Sequence, residues 1–366
     1  MRQYIDTFPA ETHPLLEQLQ QDPLNEDIVK VIGDVLLQCE HIGGELFSLN
    51  KANEEIRRQS MEGTIKPELQ AQREQIKDRI KAIERSIDSS YRAHMKKSRN
   101  FTRVHLPRNA IGIVDSLKID YQTLVSLRAK MDSLRDFIDP QFIGKIDITQ
   151  IEEAAASSYV CSRNVEAERL SFSPTIWGEF QPQVLKVKGY KVKSLQKYMQ
   201  SPLFERVAHL ELNEGKTRTS KQKDSVLAPF RDGGTIEALR GFYNPEANVG
   251  HLVDLPFAQN LLLLKAWMST STYRFQSVEA KDAIQVIKRL PPQLVEFHGL
   301  LDGIYELTKS APLEDFLKAI EEAKERGTEI HWDHPGLGDG TARIPKKSLW
   351  QRTLALARQQ NRASLE

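Results

Sequence analysis

Residues 261–298, LLLLKAWMSTSTYRFQSVEAKDAIQVIKRLPPQLVEFH, decide the fold class. Leu261 to Trp267 is a short apolar run and reads as a strand, Val278 to Arg289 follows as a helix, and Leu294 to His298 reads as a second strand. Strand and helix alternating along one direction favour a parallel sheet with right-handed crossovers.

The same strand signature, an apolar-x-apolar triplet with a polar or glycine break, recurs on both sides of this stretch. It stands at Leu117-x-Ile119, Ile146-x-Ile148, Leu170-x-Phe172, Leu185-x-Val187, Leu210-x-Leu212, Leu239, Leu264-x-Ala266, Val295-x-Phe297 and Ile330-x-Trp332. The first positions lie 29, 24, 15, 25, 29, 25, 31 and 35 residues apart. A period of about 25–30 residues is that of a solenoid, whose units bury their apolar faces against their neighbours. Helices are expected at Ser194 to Met199 and at Leu313 to Arg326, the latter ending at Gly327, a residue suited to the left-handed C′ position. Leu349 to Arg358 reads as a last, basic helix that caps the open end.

The first hundred residues are helical instead. Leu15, Leu16 and Leu19 share one face, and Asp22-Pro23 breaks that helix. Asn25-Glu26-Asp27 caps a second one bearing Ile28, Val31, Ile32, Val35 and Leu36. It ends at Cys39-Glu40-His41, with Gly43-Gly44 as the expected turn before a third helix. From Pro67, an N1-type proline, a long helix to about Lys97 carries Ile76, Ile80, Ile83 and Ile87 on one stripe. Its short seam predicts an intramolecular hairpin.

LLEQLQQDPLNEDIVKVIGDVLLQCEHIGGELFSLN resembles the small helical repeat-companion domain that accompanies leucine-rich-like repeats in large bacterial paralogous families. The resemblance rests on Leu15-Leu16, Asp22-Pro23, Glu26-Asp27, Asp34 before Leu36-Leu37, and Gly44-Glu45-Leu46 followed by Leu49. Val35 stands where those domains carry tryptophan. Ser194 to Phe204, followed by Val207 and Leu210-Glu211-Leu212, is similar to the helix, Ser-Pro turn and strand of the accompanying repeats. The resemblance implies an α/β chain: a helical domain over 1–105, an irregular leucine-rich-like solenoid over 106–342, and the basic helix over 343–366.

Composition excludes several classes. Over 366 residues, 40% hydrophobic and 28% charged content is that of a globular chain. The net charge of +1 conceals blocks: about −8 over Glu11 to Glu55, +7 over Lys66 to Arg108, +7 over Lys186 to Lys223, and +6 over Arg343 to Arg362. Solvated helix faces or intramolecular complements, the basic blocks meeting the acidic N-terminal one, explain such blocks, and phosphate contacts through Lys96-Lys97-Ser98-Arg99 or Lys216 to Lys223 are the nucleic-acid alternative. Two cysteines, Cys39 and Cys161, make no disulfide framework. The chain shows no apolar h-region at its start and no run of membrane-span length, so a cytoplasmic protein without membrane contact is expected.

Candidate site residues come from the triplets. With the outer two residues of each triplet in the core, the others face the opposite side. That aligns Lys186, Glu211, Arg240, Lys265, Glu296 and His331 in one row, and Lys188, Asn213, Phe242, Trp267, His298 and Asp333 in another. Phe242 beside Trp267 is an expected exposed aromatic pair, of the kind enriched at binding hot spots. Arg240, Phe242, Lys265, Trp267, Glu296 and His298 are therefore the expected partner-binding residues. His331-Trp332-Asp333-His334, with His298 one strand away, is the alternative: three metal ligands or a His–Asp acid/base pair. Asp232-Gly233-Gly234-Thr235 and Gly336 to Thr341 lack the Lys-Ser/Thr of a phosphate loop. With no nucleophile motif, catalytic residues and cofactors are not expected. The sequence reads as a non-catalytic interaction or regulatory module, monomeric or part of a hetero-complex, that binds an unidentified protein on its strand face.

Overall fold

A computed structural model describes residues 2–61, 67–87, 104–120, 138–149, 180–188, 204–213, 230, 236–268, 280–300, 312–333 and 348–363. The chain divides into two compact units, one of residues 1–147 with 179–181 and one of residues 148–178 with 182–366. The fold is α/β: a helical region, then a parallel sheet with interspersed helices.

The first unit contains α1 (Arg2–Ile5), α2 (His13–Gln21), α3 (Glu26–Gln38), α4 (Ile42–Met61) and α5 (Pro67–Ile87). Strands β1 (Val104–His105) and β2 (Ser116–Asp120) follow and pair antiparallel, before β3 (Lys145–Thr149) at the boundary. Asn25 caps α3, its side chain accepting from the backbone N–H of Asp27 at 3.1 Å and of Ile28 at 3.3 Å. The α3–α4 turn is Cys39-Glu40-His41, and Gly43-Gly44 lie inside α4, which corrects the expected turn. The reason is interhelical contact: a β-carbon on Gly44 would lie 2.3 Å from the backbone nitrogen of Leu37. The Ile76, Ile80, Ile83 and Ile87 stripe is the less exposed side of α5, which packs on α4 as the expected hairpin. Tyr4, Phe8, Leu19, Ile32, Leu36, Ile111, Ile113 and Phe142 share one core cluster. The Tyr4 hydroxyl donates to the Ile111 carbonyl at 2.7 Å. Ile111, Ile113 and Phe142 thus belong to the core of the helical unit.

The second unit carries β4 (Val184–Lys188), β5 (His209–Asn213), β6 (Gly241–Asn248), β7 (Leu263–Trp267), β8 (Glu296–Leu300) and β9 (Glu329–Asp333). They are parallel and stand in chain order. Among the described residues its α-helices are the one-turn α6 (Val249–Leu252), α7 (Ala280–Lys288), α8 (Pro312–Glu325) and α9 (Leu349–Ala363). Parallel neighbours in chain order require every crossover to take the same hand, which delivers α7 and α8 to one face, where they pack on one another. On that face Leu185, Leu210, Phe242, Leu264, Phe297 and Ile330 form one continuous file. All six are buried.

This register corrects two of the expected strand positions. Leu239 is buried but precedes β6, and Phe242 takes its place in the file. Val295 precedes β8, and Phe297 pairs with Leu264. In β6 the register with β7 shifts between Asn244 and Asn248; Pro245 lies in that stretch and has no N–H to give to a ladder. The expected triplet at Leu170-x-Phe172 and the helix at Ser194 to Met199 lie outside the described residues.

Helix α9 packs against β5, β6 and β7, in the middle of the sheet, and belongs to the second unit. It lies across a face of the strands and does not cap an end, which corrects the expected position.

Candidate functional site

The face opposite the Leu185–Ile330 file holds two polar rows. Nearest the strand starts, the register brings His209, Gly241, Leu263, Glu296 and Glu329 into line. The next row is Lys186, Glu211, Tyr243, Lys265, His298 and His331. Two contacts that fasten helix α9 to this face are a notch and an ion pair.

The first is a notch. Gly241 has no side chain, and Thr353 of α9 is fully buried above it: a β-carbon on Gly241 would lie 2.2 Å from Thr353 Oγ1. His209 Nδ1 is 2.9 Å from the same hydroxyl, which also donates to the Leu349 carbonyl within α9 at 3.0 Å. The other imidazole nitrogen of His209 is 3.2 Å from Glu211 Oε1, and Lys186 Nζ is 2.5 Å from that oxygen. Burial alone would push the Glu211 carboxyl up. The hydrogen bond and charge of His209, with Lys186, outweigh it and hold the group down at about 2.

The second point is an ion pair. Glu296 is buried and receives both arms of Arg352: Nε lies 2.7 Å from Oε2, and Nη2 donates to Oε1. His298 Nε2 lies 3.4 Å from Glu296 Oε2. Burial again opposes ionisation, and the hydrogen bonds and charges of His298 and Arg352 keep Glu296 ionised, at about 2. The ring of His331 stacks on that of His298, with centroids 4.7 Å apart and planes 20° apart. Burial first, then the neighbouring His298, lowers the His331 pKa. His331 Nε2 approaches Glu329 Oε2 to 3.4 Å without making a hydrogen bond. One donor atom each from Glu296, His298 and His331 fall within 4.8 Å of one another, a set able to hold a metal ion.

The structure divides the six expected partner-binding residues. Lys265, Trp267, Glu296 and His298 share the α9 face. Phe242 is on the other side, fully buried, with Phe230 and Phe257 centroids 5.7 Å and 5.6 Å from its own. Arg240 precedes β6 and donates to the carbonyls of Glu237 and Leu239. Trp267 is buried, and its Nε1 makes no hydrogen bond among the described residues. The exposed aromatic pair is therefore not formed, because taking Leu239 as a core position turned β6 over. Lys265 is half-buried, its Nζ 5.6 Å from the centroid of the Tyr243 ring.

Of the alternative set, His298 and His331 are adjacent, opposite one another on β8 and β9. Asp333 pairs through its backbone with Leu300, two residues further along, and His334 lies outside the described residues. The basic runs at Lys96 to Arg99 and Lys216 to Lys223, the two glycine-rich segments and Cys161 also lie outside them; Cys39 is an exposed free thiol. Sequence reasoning did not single out Gly241, Thr353 and Arg352. A glycine inside a strand, marking close approach of another segment, was the available signal. Among the described residues no helix is long and apolar enough to cross a membrane. No family model, curated protein or solved structure matches the chain.

Proposed function

We propose that the chain is a non-catalytic protein-interaction module whose strand face recognises a helix, and that α9 is the resident occupant of that face. The seating of Thr353 over Gly241 carries this reading. A glycine notch, an acceptor pair on Glu296 and a buried His209 together form a receptor for a helix that presents a small hydroxyl residue next to an arginine. A partner protein supplying such a basic helix would compete with α9, so the module is regulated by its own C-terminal segment.

The finer architecture belongs to the same proposal. Parallel strands in chain order, recurring every 22 to 33 residues from Leu185 to Ile330, support an irregular leucine-rich-like solenoid. Helices α2 to α4, with their Asn25 cap and close Gly44 crossing, support the resemblance to a repeat-companion domain.

A protease site inserted between residues 338 and 346 of the full chain tests the recognition of a helix. After cleavage, a labelled peptide spanning 349–363 should exchange with the resident helix, and the same peptide with Arg352→Ala should compete at least tenfold less well. Failure of the wild-type peptide to exchange, or equal competition by both peptides, would make α9 a permanent layer of the fold and end the interaction reading.

A further inference from the structure

We infer that Glu296, His298 and His331 form a binding site for a divalent transition metal of zinc-like preference, and that the metal competes with the Arg352 guanidinium for Glu296. Two imidazoles and one carboxylate make a donor set that zinc accepts in tetrahedral geometry, leaving a fourth position for water or a partner's side chain. The backbone supplies the placement. Glu296 and His298 are two apart on β8 and so share a face, and His331 is the direct β9 neighbour of His298. Bonds of about 2.0–2.1 Å to zinc imply donor atoms about 3.3 Å apart at a tetrahedral edge. His298 Nε2 and Glu296 Oε2 are already 3.4 Å apart. All three donors lie within 4.8 Å, and His331, with its side chain 24% exposed, is the one that turns to complete the set.

Two further observations favour a ligand here over a self-contained cluster. His331 Nε2 is shielded from water and makes no hydrogen bond among the described residues, although Glu329 is in reach. Buried polar atoms are ordinarily satisfied, so such an orphan marks a place where a partner atom belongs. The cation now serving Glu296 is moreover brought by α9 and not by the sheet: Arg352 Nε lies 2.7 Å from Oε2, the oxygen that faces His298. A dication bound to that oxygen and a guanidinium bound to the same oxygen repel one another, so one displaces the other. Metal binding therefore loosens the ion-pair fastening of α9. The ligand set stands without the helix-recognition reading; only this effect on α9 rests on it.

The experiment is titration of the metal-free full chain with cobalt(II) and zinc(II), read by the visible ligand-field bands of four-coordinate cobalt and by calorimetry. One metal per chain is expected, with His331→Ala and His298→Ala each weakening binding at least tenfold. Arg352→Gln should tighten binding at least tenfold, because the competing cation is gone. Zinc should also raise the melting temperature of the Arg352→Gln chain more than that of the wild type, so a destabilised variant remains informative. Absence of binding to both wild type and Arg352→Gln, or binding insensitive to both histidine substitutions, would overturn the site. Affinity unchanged by Arg352→Gln would overturn the competition. Peptide exchange measured without metal reports the helix-recognition reading separately.

Discussion

Thr353 fills the space that a side chain on Gly241 would need: a β-carbon there would lie 2.2 Å from its Oγ1 and 2.5 Å from its Cγ2. Gly241→Ala should therefore unseat α9, because the clash meets the buried side of the helix and has no flexible chain end to push aside. Overpacking of this kind costs about 1–3 kcal/mol. Thermal denaturation and limited proteolysis at the α9 junction would measure it. Adding Thr353→Ala removes both clashing atoms and should restore part of the lost stability, leaving the contact with His209 Nδ1 at 2.6 Å. No restoration would mean that the glycine serves the strand and not the helix.

Trp267→Ala now has a definite expectation. The ring is 4% exposed, so truncation leaves a cavity and should cost about 3–5 kcal/mol. A lower melting temperature is the expected readout; a stable Trp267→Ala chain would show that the ring contributes little to packing on this face.

The alternation of strand and helix was legible because its physical cause is local: apolar residues at a period of two, in short runs separated by turns and helices. Register was legible where the core positions are plainly apolar. Leu185 and Leu210 are one such pair, and the Lys186–Glu211 ion pair followed from them, at 2.5 Å. It failed at β6, where Asn244 occupies a core-facing position and the better-looking Leu239 is buried ahead of the strand. At β8, Val295 stood in for Phe297 and shifted His298 from Lys265 to Trp267 in the expected rows. The placement of α9 was not legible for a different reason. An amphipathic period says that a helix packs, without saying on what. Only Gly241 on the receiving strand marks the place, and a strand glycine alone does not name what approaches it.

Glu211 yields a pH dependence with a definite sign. Its carboxyl titrates at about 2 in the folded chain against an ordinary 4.5. A depressed carboxylate stabilises the fold above its unfolded pKa, and that stability is lost as pH falls from about 4.5 toward 2. The shift corresponds to about 3 kcal/mol at most. Melting curves of wild type and Glu211→Gln should differ clearly near about pH 6, draw together below about pH 4.5, and converge only as pH falls through about 2. A gap that stays constant with pH would show that the substitution acts through packing and not through charge.

Glu40 is the one described non-glycine residue at positive φ, 53°, and its position explains why. It follows α3 at the C′ site. Its N–H reaches the Leu37 carbonyl at 3.1 Å, and the N–H of His41 reaches that of Leu36 at 2.9 Å. Those two bonds define the left-handed closure that normally selects glycine. A β-carbon in that conformation costs about 1–2 kcal/mol, partly offset in a glycine variant by the greater freedom of the unfolded chain. Glu40→Gly should thus raise stability by about 0.5–1 kcal/mol, seen as a higher urea midpoint at unchanged slope. A negative charge at a helix C-terminus is also unfavourable, so Glu40→Ala separates the causes. It removes the charge and keeps the β-carbon, and should give less than half of the glycine gain. Equal gains from alanine and glycine would assign the effect to the helix dipole and the acidic N-terminal block, and not to backbone strain.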